Sequence, residues 1–209
     1  MEKNLSVSIV IPAHNEEQAI SVVIREVKKA MGSTAYEYEI LVVDDASTDA
    51  TFDRARAEGV RVLRRPRQGG SGASRRTGIE AAKGDVIVML DADGSYDPGD
   101  IPKLLAHFPE YDQVNGARTS EQGSLKLLRV PTKWFIRQLA TVGIALDAYL
   151  WVLPDGFSCV TTMTLAFLAN GYAVKYIPTN YRKRIGKSKF HPVKDTLAYL
   201  NTVVRMVMY

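Results

Sequence analysis

Asp91-Ala92-Asp93 sets two carboxylates one residue apart, directly after the apolar run Val86-Ile87-Val88-Met89-Leu90. Oxygen donors so placed suit a hard divalent cation. A cation there could neutralise the charge on a diphosphate as it leaves. A lone Asp-x-Asp triplet is more often a turn or a helix cap, so its place at the end of a strand-like run is what gives it weight. Asp97, before Pro98, reads as a turn former or cap. A second acidic pair, Asp44-Asp45, follows Glu39-Ile40-Leu41-Val42-Val43. One of its carboxylates could accept hydrogen bonds from a base or a ribose. The plain alternative is a cap for a helix starting near Ser47. The two readings weigh about equally, with Asp44 as the ligand-facing member. Gly69-Gly70-Ser71-Gly72 matches neither the P-loop nor the dinucleotide pattern, and a turn closing a loop is its default reading. Its place beside the other strand ends lets its backbone, Gly70 in particular, approach a nucleotide.

Basic residues fall into three places. Arg118 follows Asn115-Gly116-Ala117. Arg129, Lys133 and Arg137 recur every four residues and would share one helix face. That face is either simply solvated or a stripe that receives a lipid phosphate or lies on anionic headgroups. Lys183, Arg184, Lys187 and Lys189 surround Gly186 and Ser188. A guanidinium fork matches phosphate oxygens well.

The elements that must position these residues alternate. Strands are predicted over 7–12, 39–43, 60–63 and 85–90, from short β-branched runs closed by proline, acids or glycine. Helices are predicted between them: one capped by Asn15 with Glu16 and Glu17 in its first turn, one over about 47–58, and one over about 73–82. Ile20, Val23, Ile24 and Val27 recur at helical spacing in the first. Strand–helix alternation predicts an α/β fold with a mostly parallel central sheet and helices on both faces. Ligands then bind beyond the carboxyl ends of the strands, where His14, Glu16, Asp44, Asp91 and Asp93 all fall. Further along, helices are predicted over 101–107, 126–140, 161–169 and 191–209, and strands over 113–117 and 172–178. The chain reads as one domain over 1–209, with the helix at about 191–209 close to a membrane.

The 209 residues, 46% hydrophobic and 24% charged, suffice for a single core and exclude wholesale disorder. A net charge of +4 fits anionic small substrates, anionic membrane surfaces or nucleic acid. The single cysteine, Cys159, rules out an internal disulfide and a thiolate metal cluster. There is no run of eighteen apolar residues. Nucleic acid is disfavoured as a partner, because the basic residues lie beside an acidic site that would repel a phosphate backbone.

Val10-Ile11-Pro12-Ala13-His14-Asn15-Glu16-Glu17, Val42-Val43-Asp44-Asp45-Ala46-Ser47-Thr48-Asp49, Gly70 to Gly78, and Asp91-Ala92-Asp93-Gly94 occur in that order. Together they resemble the successive motifs of family 2 glycosyltransferases. Leu153-Pro154-Asp155-Gly156-Phe157-Ser158 and Arg184-Ile185-Gly186-Lys187-Ser188-Lys189 resemble the branch that uses polyprenyl phosphates, that of dolichol-phosphate mannose synthase and its bacterial and archaeal relatives. The resemblance covers nearly the whole chain. It implies a GT-A fold, a Mg²⁺ or Mn²⁺ cofactor, and inverting transfer of a hexose to a dolichyl or undecaprenyl phosphate. The donor would be a UDP- or GDP-sugar, with glucose or mannose the leading sugars. Pro12, His14, Glu16 and Asp44 would line the base and ribose pocket. Gly70, Asp91 and Ala92 would also meet the nucleotide-sugar, and Asp91 and Asp93 would hold the metal. Asp93, Arg118 and Arg184 would be the catalytic set, with Arg184, Ser188 and Lys189 closing over either the diphosphate or the acceptor phosphate. Arg118, Lys133, Arg137, Ser188 and Lys189 would receive the acceptor phosphate. The lipid would place the protein peripherally at the cytoplasmic face of a membrane.

The chain departs from the family at three points. His14 stands where relatives often have tyrosine. Ser95 stands where they often have glutamine. Residues 139–147 run on without the Asp-x-Asn-Ser-Gly-like stretch that relatives carry. Two other readings stand beside the main one. A sugar-phosphate nucleotidyltransferase would carry a glycine-rich basic loop after the first strand, where this chain has Ala13-His14-Asn15-Glu16. A non-catalytic nucleotide-sugar-binding scaffold would draw its support from the missing stretch.

Overall fold

The computed structural model describes residues 5–118, 159–169 and 171–186. The expected helices over 126–140 and 191–209 lie outside them.

Four parallel strands form the main sheet in the order β3-β2-β1-β4: β1 (Val7–Ala13), β2 (Tyr38–Asp44), β3 (Arg61–Arg64) and β4 (Val86–Met89). In register, Ala13 of β1 stands beside Asp44 of β2, and Asp44 beside Arg64 of β3. The carboxyl ends of these three strands are therefore level. β4 pairs with β1 from Val7↔Val86 to Val10↔Met89, so Leu90 and Asp91 continue towards the same rim.

Side-chain alternation along β1 builds two cores. Val7, Ile9, Ile11 and Ala13 face a cluster with Ile20, Val23, Ile24, Val27 and Met31 of α1 (Ile20–Met31), Ala55 of α2 (Thr51–Ala57), and Ile101 and Leu105 of α4 (Ile101–Leu105). Each of the valine, isoleucine, leucine and methionine side chains among them, fully buried, contributes roughly 1.5–3 kcal/mol before entropy is charged against it. Val10 on the other face packs with Leu41, Val43 and Ala81, the last from α3 (Ser71–Ala81). Gly78 of α3 sits so tightly on Val10 that a Cβ there would collide with it. Helices thus cover both faces of a parallel sheet, which is the α/β architecture expected.

A second, two-stranded parallel sheet joins β5 (Gln113–Arg118) to β6 (Val174–Thr179). Helix α5 (Cys159–Ala169) packs against it. An isolated antiparallel bridge, Tyr96↔Tyr181, ties the chain beyond β6 to the chain beyond β4.

Two helix starts differ from expectation. Asn15 does not cap α1, which begins five residues later behind Ala19 with no side-chain cap. Asn15 instead adopts φ 50° and uses its side-chain oxygen to accept from the Thr48 amide at 2.8 Å. Its own amide donates to Ser47 Oγ at 3.0 Å. The residue that looked like a cap is a tie between the loops after β1 and β2. Likewise α2 starts at Thr51 rather than near Ser47, with Asp49 Oδ1 accepting from the Thr51 amide at 3.0 Å.

Candidate active site at the strand ends

The first acidic pair divides its labour. Asp44 is fully buried. Its Oδ1 accepts from the Ser47 amide at 3.3 Å, and its Oδ2 lies 3.3 Å from Arg64 Nε without a hydrogen bond. The ion pair meets the distance but not the angle of a hydrogen bond, so one buried carboxylate oxygen keeps unused accepting capacity. Arg64 is held over it by the Phe52 ring, 5.0 Å from the guanidinium carbon, and by the Ser47 carbonyl. Asp45 turns the other way. It accepts from the Gly69 and Gly70 amides (3.0 and 2.7 Å) and from Arg65 Nη1 at 2.5 Å. Asp45 therefore pins the glycine-rich turn to the end of β2. Gly70 has φ 89°, a conformation that favours glycine, and opens α3. The Asp45 carbonyl can only accept, so His14 Nδ1, 2.8 Å away, carries the proton and the imidazole orientation is set.

The second acidic pair meets two arginines from different elements. Arg75, in the second turn of α3, is 6% exposed. Its Nη2 donates to Asp91 Oδ1 at 2.6 Å, its Nη1 to Ser71 Oγ, and its Nε is buried without a partner. Arg184, beyond β6, reaches back to stand 3.5 Å from Asp93 Oδ2 and 3.4 Å from Glu16 Oε1. Asp93 Oδ1 also accepts from the Ser95 amide at 2.9 Å, and the Asp93 carbonyl accepts from the Ile185 amide at 2.8 Å. The chain thus draws Glu16 from the loop after β1, Asp93 from the loop after β4 and Arg184 from the loop after β6 into one cluster.

Asp91 and Asp93 are the hard oxygen donors a divalent cation would use. Among the described residues, no group of three His, Cys, Asp or Glu side chains could hold a metal alone. A donor set of two carboxylates fits a cation whose remaining ligands come from a diphosphate and water.

The sequence matches glycosyl transferase family 2 over residues 8–164. The chain belongs to glycosyl transferase family 2. Among curated relatives, dodecaprenyl-phosphate galacturonate synthase of Rhizobium johnstonii is 35% identical over 62% of this chain and 41% of its own length. Undecaprenyl-phosphate 4-deoxy-4-formamido-L-arabinose transferase of Pseudomonas fluorescens is 32% identical over 90% of this chain and 61% of its own. The chain therefore spans about two-fifths to three-fifths of these relatives. Among solved structures, glucosyl-3-phosphoglycerate synthase of Mycobacterium tuberculosis, in complex with Mn²⁺, UDP and glucosyl-3-phosphoglycerate, superposes with a TM-score of 0.70 at 21% identity, over 98% of this chain and 79% of that one. Mannosyl-3-phosphoglycerate synthase of Rubrobacter xylanophilus gives 0.67 at 18% identity, over 98% and 73%. The fold is GT-A, as the motifs implied.

Within this family 2 chain, Pro12, His14, Glu16, Asp44, Gly70, Asp91, Ala92 and Asp93 all fall on the rim or on the loops leaving it, and Arg184 folds in beside them. Arg118 closes β5 in register with Thr179. Arg129, Lys133, Arg137, Lys187, Ser188, Lys189, the Leu153–Ser158 motif and the run 139–147 lie outside the described residues. Sequence reasoning missed Arg75. Its signal was available: it stands among Gly72, Ala73, Ser74 and Gly78, small residues that mark the buried side of α3.

Proposed function

We propose that this chain transfers a glycosyl unit from a nucleoside diphosphate sugar to the phosphate of a polyprenyl lipid, with inversion. An acceptor phosphate oxygen attacks the anomeric carbon. The bond from that carbon to the diphosphate breaks, and its electron pair leaves with the nucleoside diphosphate. A phosphate monoester is largely ionised at neutral pH, so no strong base is required, and positioning and charge neutralisation are the main catalytic terms.

The observation that carries this reading is the pairing of each aspartate of Asp91-Ala92-Asp93 with its own arginine at the carboxyl end of a parallel sheet. Asp44 Oδ2 lacks a hydrogen bond but is fully buried beneath Arg64, so it would accept from a base or ribose once Arg64 moves aside. In register Pro12 stands beside Val43 and Ala13 beside Asp44, and His14 follows on the Asp45 carbonyl. The Gly70 amide is engaged by Asp45, so Gly70 would shape the turn beside the phosphates rather than donate to them. Asp91 and Asp93 would hold a Mg²⁺ or Mn²⁺ ion, which would neutralise the leaving diphosphate. Arg184 would exchange its two long carboxylate contacts for phosphate oxygens. Arg118, with Lys133, Arg137, Ser188 and Lys189, would receive the lipid phosphate. The relatives' names support the lipid acceptor, which would bring the protein to a membrane surface. Among the described residues no helix is long and apolar enough to cross a membrane. Glucose and mannose were the leading sugars from the motifs, whereas the curated relatives are named for galacturonate and a formamido-arabinose. The sugar is therefore the variable to test.

The whole chain, given undecaprenyl phosphate, Mg²⁺ or Mn²⁺ and a panel of UDP- and GDP-sugars, is expected to release UDP or GDP and form a lipid-linked sugar. Release of pyrophosphate instead would indicate a nucleotidyltransferase. Nucleotide-sugar binding with no turnover on any acceptor would indicate a scaffold.

A further inference from the structure

Residues 180–185 run as a strap along 93–100. The Asn180 amide donates to Asp100 Oδ2 at 2.8 Å, the Arg182 amide to the Ser95 carbonyl at 2.8 Å, and the Ile185 amide to the Asp93 carbonyl at 2.8 Å. The Tyr96 and Tyr181 rings meet edge-on, with centroids 5.7 Å apart. Gly94 (φ 71°) lies under Ile185, so a side chain at that position would be strained and crowded.

The strap carries two arginines two residues apart, and they are held in opposite ways. Arg182 is clamped. Its Nη1 donates to both Glu26 oxygens at 3.0 Å, and its Nη2 lies 2.8 Å from Asp97 Oδ2. Burial works against its charge, but Glu26 and Asp97 outweigh that and raise its pKa. Arg184 is loosely held. Its two carboxylate contacts are 3.4 and 3.5 Å, and its buried Nε has no hydrogen bond. A single exposed ion pair contributes little. A guanidinium fork fixed on two separate elements, α1 and the turn before Pro98, does fix a direction.

From this asymmetry we infer that Arg182, with Glu26 and Asp97, is a positioning residue that holds the strap so that Arg184 is aimed at the donor diphosphate. The inference rests on the reading of the site as one for a nucleoside diphosphate. Arg184 gives up weak contacts when it meets phosphate, so the exchange costs little, provided the backbone beneath it does not move. Arg182 supplies that fixity in advance of binding.

The test is titration of the whole chain with UDP and GDP, each with Mn²⁺, and with UMP and GMP, which lack the second phosphate. Arg182→Ala is expected to weaken binding of the preferred diphosphate about tenfold while the matching monophosphate changes by less than about twofold. Glu26→Gln, which keeps the side-chain shape, gives the same selective loss in smaller measure, and Arg182→Lys restores part of it. The Arg182→Ala/Arg184→Ala double variant binds no worse than Arg184→Ala alone, because nothing remains to be aimed. Equal loss for mono- and diphosphate, additive losses in the double variant, or wild-type binding by Arg182→Ala each overturn the inference while the site reading stands. Wild-type chain that binds neither diphosphate overturns the site reading and the inference together.

Discussion

Arg75 reaches from α3 to the end of β4 and holds Asp91, Nη2 to Oδ1 at 2.6 Å. The arginine is buried, and the carboxylate is 37% exposed at its side chain. The pair therefore sits at a boundary, with the anion turned towards the rim and the cation behind it. Removing the arginine leaves Asp91 unoriented and opens a void in α3. Arg75→Ala is expected to destabilise the fold by about 2 kcal/mol, below the usual cost of breaking a fully buried pair because Asp91 can rehydrate. Donor binding should fall at the same time. Arg75→Lys keeps the charge but cannot bridge Ser71 and Asp91 at once, so it should recover stability more than donor affinity. Chemical denaturation and nucleotide titration of the two variants separate these effects.

Ala46 occupies the left-handed region at φ 55°, between the buried Asp45 and Ser47. A Cβ there costs roughly 1–2 kcal/mol, and the cost is tolerated because the loop after β2 is fixed from both sides. Ala46→Gly should therefore raise stability by about 1 kcal/mol despite the added freedom of the unfolded chain. Ala46→Val should lower it by more than that. A rise in the denaturation midpoint for glycine, without loss of nucleotide affinity, is the expected result; a fall shows that the loop strain is not what the backbone angle implies.

Much of this was readable beforehand, and the reasons are specific. Ile9, Ile11, Leu41, Val42 and Val43 are β-branched or apolar because both faces of the sheet are covered, and such runs announce themselves. Asp91 and Asp93 were legible because a strand ends just before them. Asn15 was misread because its cap-like chemistry was spent on a neighbouring loop, and loop-to-loop ties leave no periodic trace. Arg75 was missed because an arginine within a helix ordinarily faces water. Its burial follows from the close approach of α3 to β1 at Gly78, which the sequence shows only as small residues. The division between Asp44 and Asp45 depends on which way each side chain turns at the end of β2, and two adjacent aspartates give no hint of that.

Glu39 anchors the opposite end of the sheet. Its Oε1 accepts from Ser8 Oγ at 2.7 Å and the Lys83 amide at 2.8 Å, and Oε2 lies 3.4 Å from Arg61. Burial pushes its pKa up, but the Ser8, Lys83 and Arg61 contacts outweigh burial and hold it below the ordinary carboxylate value. Since the folded pKa is depressed, the stabilisation is fully present above the unfolded value and is lost as pH falls through the folded one. The wild-type chain should therefore lose stability below about pH 4.5, and Glu39→Gln should flatten that part of the acid limb while lowering stability at neutral pH. Parallel acid limbs for the two proteins would show that Glu39 does not carry the dependence.

Asp93 combines a local and a distant contact: it accepts from the Ser95 amide at 2.9 Å and faces Arg184 at 3.5 Å. Asp93→Asn keeps an oxygen for Ser95, so the loop after β4 should hold and the unfolding midpoint should stay close to wild type. The charge that would bind the cation is gone, and with it the electrostatic stabilisation of the leaving diphosphate. Turnover should fall by a factor of about 100 to 1,000, as when a single oriented electrostatic group is removed elsewhere. Binding without metal should behave differently. Arg184 loses one of its two carboxylate partners and is freer to meet phosphate, so metal-free UDP or GDP affinity should hold or improve while the gain from Mg²⁺ or Mn²⁺ disappears. Titrations with and without the ion, beside a turnover assay, measure both halves. Near-normal turnover in Asp93→Asn, or an undiminished metal effect on binding, would remove Asp93 from the metal site and leave Asp91 to be tested in its place.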